Sequence, residues 1–279
     1  RGLTVTYGGL NANEEIDIEC VSGMLVGLIG PNGAGKTTFI DAITGFTPVT
    51  HGYVCFDGVD LVGLRPDARA KLGLVRTFQS LELFEDLTVR DNLLVAADQP
   101  KWYSFLSDIV LPSRGKAAAL ERIDVALNAM ELGDLADKHP SDLSHGQRKL
   151  VGVARALAAN PKLLLLDEPA AGLDTKESQL LGAHLRGFLD LGVSLFLIDH
   201  DMGLVLNVCD YIYVLDFGKV IAHGTPAQVR ADPAVIAAYL GESAGEAQAE
   251  AGMAATRSAE AMASQSTTSQ TGASEAENE

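Results

Sequence analysis

The sequence has few cysteines and no long apolar run, and each shortage excludes a class of protein. Its three cysteines, Cys20, Cys55 and Cys209, are far apart and lack metal-site spacing. Free thiols in a reducing compartment are therefore expected. No apolar stretch approaches the roughly 18 residues that would span a bilayer, and no secretory signal is recognisable. These features favour a cytosolic protein without a transmembrane segment of its own.

Basic residues are also scarce. The 21 Lys and Arg against 37 Asp and Glu give a formal net charge of −16 at pH 7. Because a polyanion prefers a surface of the opposite sign, nucleic acid is not an expected partner. Residues 241–279 contain no Val, Ile, Leu, Phe, Tyr or Trp, and they hold seven acids against Arg257. This segment cannot bury enough apolar surface to offset chain entropy, so a disordered acidic tail is predicted there.

Short, dense apolar runs alternate with amphipathic patterns along residues 1–240, which predicts an α/β domain. The pattern predicts strands at 24–30, 163–166, 193–198, 211–215 and 220–222, and an antiparallel one at 52–56. From about 80 to 160 the pattern is helical, with Thr88 as the cap of one helix. Pro226 and Pro233 are expected to open short helices. One apolar face of a second helix in this insertion is predicted from Leu120, Ile123, Leu127 and Met130.

The segment Gly30–Thr37, G-P-N-G-A-G-K-T, matches the phosphate loop (P-loop) at every required place. Its glycines let successive backbone N–H groups face phosphate oxygens, helped by the positive end of the following helix. Lys36 would reach the β- and γ-phosphates, and the Thr37 hydroxyl would bind Mg²⁺. The alternative is a purely structural glycine turn with an incidental lysine, and the flanking strand and helix patterns disfavour it.

Two carboxylates, Asp167 and Glu168, directly follow the predicted strand Leu163–Leu166. Asp167 is placed to hold Mg²⁺ through water, because Mg²⁺ keeps part of its hydration shell. Glu168 would then orient and polarise the attacking water. The alternative is a surface turn after a buried strand, and the presence of a phosphate loop in the same chain disfavours it.

The segment Leu143–Gln147, L-S-H-G-Q, resembles the LSGGQ signature of the nucleotide-binding subunits of ABC transporters, and the resemblance covers about residues 3–240. It implies the ABC ATPase fold: a P-loop NTPase core, an antiparallel β subdomain, and a helical insertion carrying the signature. In the family, the signature loop presents Ser and Gly N–H groups to the γ-phosphate held by the opposite subunit. His145 stands at a position that the family varies, and we interpret it as tolerated.

The resemblance also implies roles for residues outside these motifs. Tyr7 would stack on adenine, and Gln79 would touch Mg²⁺ and water and link the site to the membrane subunits. Asp174 would contact the partner subunit, and His200 would bind the γ-phosphate. The implied catalytic residues are Glu168, His200, Lys36 and Gln79. The implied metal ligands are Thr37, Gln79 and Asp167. The implied nucleotide contacts are Tyr7, Gly30, Pro31, Asn32, Gly33, Ala34, Gly35, Lys36, Thr37, Thr38, Ser144, Gly146, Gln147 and Asp174. Four other histidines are interpreted as surface residues: His51, His139, His184 and His223.

The segments 28–46, 73–96 and 223–243 are similar to the subfamily that imports branched-chain amino acids. This resemblance implies an ATPase with Mg²⁺ and ATP as cofactors, bound peripherally at the cytoplasmic face of the membrane. Its implied partners are permease subunits, a second ATPase subunit (identical or sister) and, indirectly, a substrate-binding protein. Alternatives are a urea or short-amide importer, a soluble ABC ATPase and a small-molecule phosphotransferase. The aromatic cluster at 99–113 is either local packing or a permease contact.

Overall fold

The structure is a computed structural model that describes residues 1–77, 83–97 and 114–239, with the backbone alone at 114–116. Residues 1–235 form one compact unit, and only the helical residues 236–239 are described of the second unit, 236–279. Gln79, the aromatic cluster at 99–113 and the predicted tail lie outside the described residues.

A six-stranded sheet forms the centre of the first unit. The strands of this sheet are β3 (Leu25–Ile29), β6 (Leu74–Arg76), β7 (Leu163–Asp167), β8 (Ser194–Ile198), β9 (Tyr211–Asp216) and β10 (Lys219–Gly224). Their order is β10-β9-β3-β8-β7-β6, and β10 alone runs antiparallel to its neighbour. Every residue of β3 and β8 is buried, as expected of parallel strands covered on both faces. The strands predicted at 24–30, 163–166, 193–198, 211–215 and 220–222 are confirmed.

Two small antiparallel pairs stand beside the central sheet. They are β1 (Leu3–Tyr7) with β2 (Leu10–Ile16), and β4 (Cys55–Phe56) with β5 (Val59–Asp60). The second pair confirms the antiparallel strand predicted at 52–56, although it is shorter than expected. The helices of the described residues include α1 (Lys36–Thr44), α2 (Pro66–Lys71), α3 (Val89–Ala97), α4 (Arg114–Ala129), α5 (His145–Ala158), α6 (Thr175–Asp190), α7 (Met202–Val208) and α8 (Pro226–Ala231).

Helices α3, α4 and α5 pack against one another. Thr88 caps α3, since its hydroxyl accepts a hydrogen bond from the Asp91 N–H at 3.1 Å. The predicted apolar face of α4 is wrong at Leu120, which is 40% exposed, whereas Ala119 is 2% exposed. The buried stripe runs through positions 119, 123, 126, 127 and 130, and Leu120 lies one residue off that stripe. Among the described residues, no helix is both long and apolar enough to cross a bilayer.

Candidate functional site

The phosphate loop connects buried β3 to α1 in a turn that requires glycine at two positions. Gly30 has φ = +152°, and a Cβ there would lie 2.0 Å from the Leu215 carbonyl oxygen. Gly35, the N-cap of α1, has φ = +100°, and a Cβ there would lie 2.5 Å from the Ala12 carbonyl oxygen. No side chain could fit at either place. The loop therefore lies directly against neighbouring backbone.

The Lys36 ammonium is held at this loop. Its Nζ donates to the carbonyls of Gly30 at 2.6 Å and Pro31 at 2.9 Å, and the side chain is buried. A cavity of about 370 Å³ adjoins it. The lining residues are Asn11, Ala12, Asn32, Gly33, Ala34, Gly35, Lys36, Thr37, Thr38, Glu168, Phe217 and Gly218. A lysine, two threonine hydroxyls and an uncapped helix N-terminus form a donor set that suits an anionic phosphate.

The two predicted carboxylates lie at the carboxyl end of β7. Asp167 is buried, and its Oδ2 accepts a hydrogen bond from the Arg76 guanidinium at 2.8 Å. Glu168 has the left-handed backbone φ of +48°, uncommon for a residue other than glycine. Its N–H donates to the Ile198 carbonyl at 2.7 Å, which ties this turn to β8. Glu168 lines the cavity beside the phosphate loop, while Asp167 pairs with Arg76.

His200 lies next to Glu168, at the end of β8. Its Nδ1 is 3.9 Å from Glu168 Oε2 and 3.7 Å from Asp199 Oδ1, and the ring is more than half exposed. Asp199 is fully buried, and its carboxylate accepts hydrogen bonds from the N–H groups of Ala170 at 3.1 Å and Asp201 at 2.9 Å. Asp199 therefore ties the segment after Glu168 to the segment that carries His200.

The signature residue Ser144 is the N-cap of α5. Its hydroxyl accepts from the Gln147 N–H at 3.2 Å, and the Gln147 side chain accepts in return from the Ser144 N–H at 2.9 Å. This reciprocal pair is a capping box, so in this structure the Gln147 amide is used to start the helix. The one irregular position, His145, lies beside Gly172, where a Cβ would be 3.5 Å from His145 Nε2.

Gly146 lies against the helix that Asp174 begins. A Cβ at Gly146 would be 2.5 Å from Glu177 Oε1, so the absent side chain is what allows this approach. Asp174 caps α6 by accepting from the N–H groups of Lys176 at 2.8 Å and Glu177 at 2.9 Å. Glu177 Oε2 in turn accepts from the Asp174 N–H at 3.0 Å. The two predicted partner-contacting motifs are thus adjacent within one chain.

Two cations at the site were not predicted from the sequence. Lys149 on α5 is buried and donates to the Ala171 carbonyl. Burial lowers the pKa of Lys149, and the charges of Asp199 and Glu168 partly offset that effect. Lys149 and Arg76 line a second cavity, of about 220 Å³, together with Asp167 and Glu168. The only sequence signal for Lys149 is a basic residue on the otherwise apolar face of α5.

The remaining predicted residues are placed as follows. Tyr7 ends β1, is 51% exposed, and its hydroxyl lies 3.1 Å from Thr47 Oγ1. The prediction that His184 is a surface residue is wrong, because α6 turns that face towards the protein interior and the residue is 8% exposed. The other three histidines interpreted as surface residues are exposed: His51, His139 and His223. All three cysteines are free, and burial raises the pKa of Cys20 to about 12.

Comparison with known families decides what this arrangement is. A model described as "ABC transporter" matches residues 13–171, which is more than half of the chain and includes the phosphate loop, the signature and both carboxylates. The chain belongs to the ABC transporter family of ATP-binding proteins. A second model, "Branched-chain amino acid ATP-binding cassette transporter", matches residues 219–245 of this ABC protein.

Individual relatives support the same assignment. The ABC chain is 41% identical over 248 residues to the high-affinity branched-chain amino acid transport ATP-binding protein LivG of Escherichia coli K12, covering 87% of this chain and 96% of that one. Its fold is similar to the ADP conformation of the ATP-binding cassette MJ1267, with TM-score 0.75, 32% identity and coverage of 86% and 97%. A dimeric post-hydrolysis state of the cassette MJ0796 with ADP and Pi gives TM-score 0.66, 26% identity and coverage of 81% and 97%. The family and fold predicted from the sequence are therefore confirmed.

Proposed function

We propose that this chain is the ATP-hydrolysing subunit of an importer for branched-chain amino acids, and that it splits ATP at sites shared between two ATPase subunits. One observation supports an ATP site that is formed by two subunits. The residues that line the cavity at the phosphate loop include Glu168 but none of the signature Leu143–Gln147. The signature lies instead beside Asp174 and Glu177. A second subunit is then needed to bring a signature to this cavity.

The residues of one chain have distinct parts in this proposal. Lys36, Thr37 and Thr38 bind the β- and γ-phosphates at the N-terminus of α1. Glu168 orients the attacking water and accepts its proton at a carboxylate oxygen. His200, 3.9 Å from Glu168, binds the γ-phosphate at the same edge of the sheet. Magnesium held by Thr37 and Asp167, with Gln79, would neutralise phosphate charge. Tyr7 would bind adenine.

The relatives support the proposed substrate and the other proposed partners. The match of residues 219–245 to the branched-chain model and the similarity to LivG favour amino-acid import over the urea or amide alternative. In this proposal the ATPase domain spans residues 1–240 with a helical insertion at about 80–160, and residues 241–279 form an acidic tail. Separate permease subunits hold the domain at the cytoplasmic face of the membrane and link it to a substrate-binding protein.

Replacing Glu168 with Gln tests the hydrolytic site. The variant is expected to bind ATP as the unmodified chain does, while turnover falls by about 10²–10⁴-fold, the contribution typical of a general base. With hydrolysis blocked, ATP drives the isolated subunit into a dimer detectable by light scattering after size exclusion. The matched control is Glu121→Gln, an exposed glutamate on α4. Normal turnover in Glu168→Gln would contradict the assignment of the base.

The substrate is tested in the reconstituted complex with its own permeases and binding protein. Leucine-loaded binding protein is expected to stimulate ATP hydrolysis above the unliganded level. Stimulation by urea or a short amide in place of leucine would instead support the alternative substrate class.

A further inference from the structure

Arg76 bridges two carboxylates that belong to different parts of the nucleotide site. It is the last residue of β6, and its side chain is 9% exposed. One guanidinium nitrogen lies 2.5 Å from Asp41 Oδ1 on α1, and another lies 2.8 Å from Asp167 Oδ2 at the end of β7. The guanidinium also lies 6.0 Å from the centre of the Phe46 ring. A planar fork with several donors can hold both carboxylates at once, which a lysine ammonium cannot do as well.

This bridge directly affects the carboxylate that would hold magnesium. A cation 2.8 Å from Asp167 Oδ2 reduces the negative potential that a second cation would meet at that carboxylate. Because both groups are largely buried, solvent screens this effect less than it would at the surface. Asp41 pairs with the same guanidinium, so its negative charge offsets part of the positive potential that Arg76 places at Asp167.

We propose that Arg76 is a positioning residue that sets how strongly Asp167 engages the magnesium of bound ATP, through a positive charge that Asp41 partly offsets. This inference rests on the magnesium-dependent ATP site of the proposed function. Removing the Arg76 charge leaves Asp167 wholly to the metal, so magnesium strengthens nucleotide binding more. Removing the Asp41 charge removes a negative charge that offsets Arg76, so the positive potential at Asp167 rises and magnesium strengthens nucleotide binding less. A role confined to stability would not change the metal dependence in opposite directions.

The test compares binding of a non-hydrolysable ATP analogue to the full chain in excess Mg²⁺ and in EDTA, by calorimetry at pH 8. The measured quantity is the dissociation constant in EDTA divided by that in Mg²⁺, so a larger ratio means that magnesium strengthens binding more. Arg76→Gln is expected to raise the ratio by about 3- to 10-fold, which corresponds to about 0.7–1.4 kcal/mol at about 1.36 kcal/mol for each factor of ten. Arg76→Lys is expected to raise it less, because it keeps the charge, and Asp41→Asn is expected to lower it.

Arg69→Gln is the matched control. Arg69 is likewise a buried arginine, but its guanidinium donates to the carbonyls of Leu64, Ala42 and Ile43 rather than to Asp167. We expect this variant to be less stable with an unchanged ratio. A magnesium effect in the unmodified chain with an unchanged or lower ratio in Arg76→Gln would overturn the inference while leaving the metal site intact. If Arg76→Gln does not fold, an unchanged or raised ratio in Asp41→Asn would overturn it. No magnesium effect in the unmodified chain would overturn both this inference and the proposed metal site.

Discussion

Two glycines on α6 allow a matched test of the packing that holds Asp174 and His200 in place. Helix α6 begins after Asp174, and α7, which follows His200 closely, packs against it. Gly182 is buried, and a Cβ there would lie 2.7 Å from Val208 Cγ1 and 3.0 Å from Leu204 Cδ1. Gly187 is exposed, and a Cβ there would meet no atom of the described residues within 4 Å.

The magnitudes follow from these surroundings. Either alanine gains about 0.8–1 kcal/mol of helix propensity over glycine. At Gly187 nothing opposes this gain, so the free energy of unfolding is expected to rise by roughly that amount. At Gly182 the methyl group must displace two packed side chains, which costs about 1–3 kcal/mol. Because the propensity gain is common to both variants, the difference between them isolates this overpacking cost.

The assay is thermal and urea unfolding of the two variants beside the unmodified chain. A difference of about 1–3 kcal/mol corresponds to a gap in Tm of about 2–12 °C for a domain of this size, with Gly187→Ala the higher. Equal stability of the two variants, or greater stability of Gly182→Ala, would refute the close packing of α6 against α7.

The other predictions concern the reactivity of the three cysteine thiols and the role of a buried lysine. Cys55 is exposed, Cys20 is partly buried and Cys209 is buried, and burial raises the pKa of Cys20 to about 12 and also raises that of Cys209. In the native chain we expect Cys55 to react quickly with Ellman's reagent and Cys20 and Cys209 to react more slowly, becoming fast in urea. Three fast thiols would contradict the burial. Lys149→Met removes the ammonium that binds the Ala171 carbonyl near Glu168. We expect kcat to fall by about 10- to 100-fold with ATP affinity nearly unchanged, against Lys138→Met as the exposed control. A loss of ATP affinity with normal kcat would contradict the placement of Lys149.

Local patterns in the sequence predict most of the elements. The four leucines Leu163–Leu166 lack any polar alternation, which is the pattern of a strand covered on both faces, and β7 is such a strand. The helix beginning at Lys36 follows from the phosphate-loop pattern. By contrast, the predictions that Leu120 is buried and that His184 is exposed are wrong. The polarity of one side chain does not by itself reveal which side of a helix packs against its neighbours.

Long-range charge contacts could not be predicted in this way. Arg76 meets Asp167 because β6 pairs with β7 in a register that places Arg76 opposite Leu165. It also meets Asp41, 35 residues earlier on α1. Neither the strand order nor the register can be derived from periodicity, so the role of Arg76 becomes visible only in three dimensions. The same is true of Lys149, whose partner lies on a different segment of the chain.

The central claim is that the phosphate loop and the signature of one chain serve two different ATP sites. The direct measurement is ATP hydrolysis by a mixture of Lys36→Ala and Ser144→Arg subunits, each inactive alone, under conditions in which the unmodified chain is active. In a mixed pair, one site combines both defects and the other combines an intact phosphate loop with an intact signature. Random pairing therefore predicts recovery of up to about one quarter of the unmodified rate. No recovery, with both variants folded, would contradict the shared site.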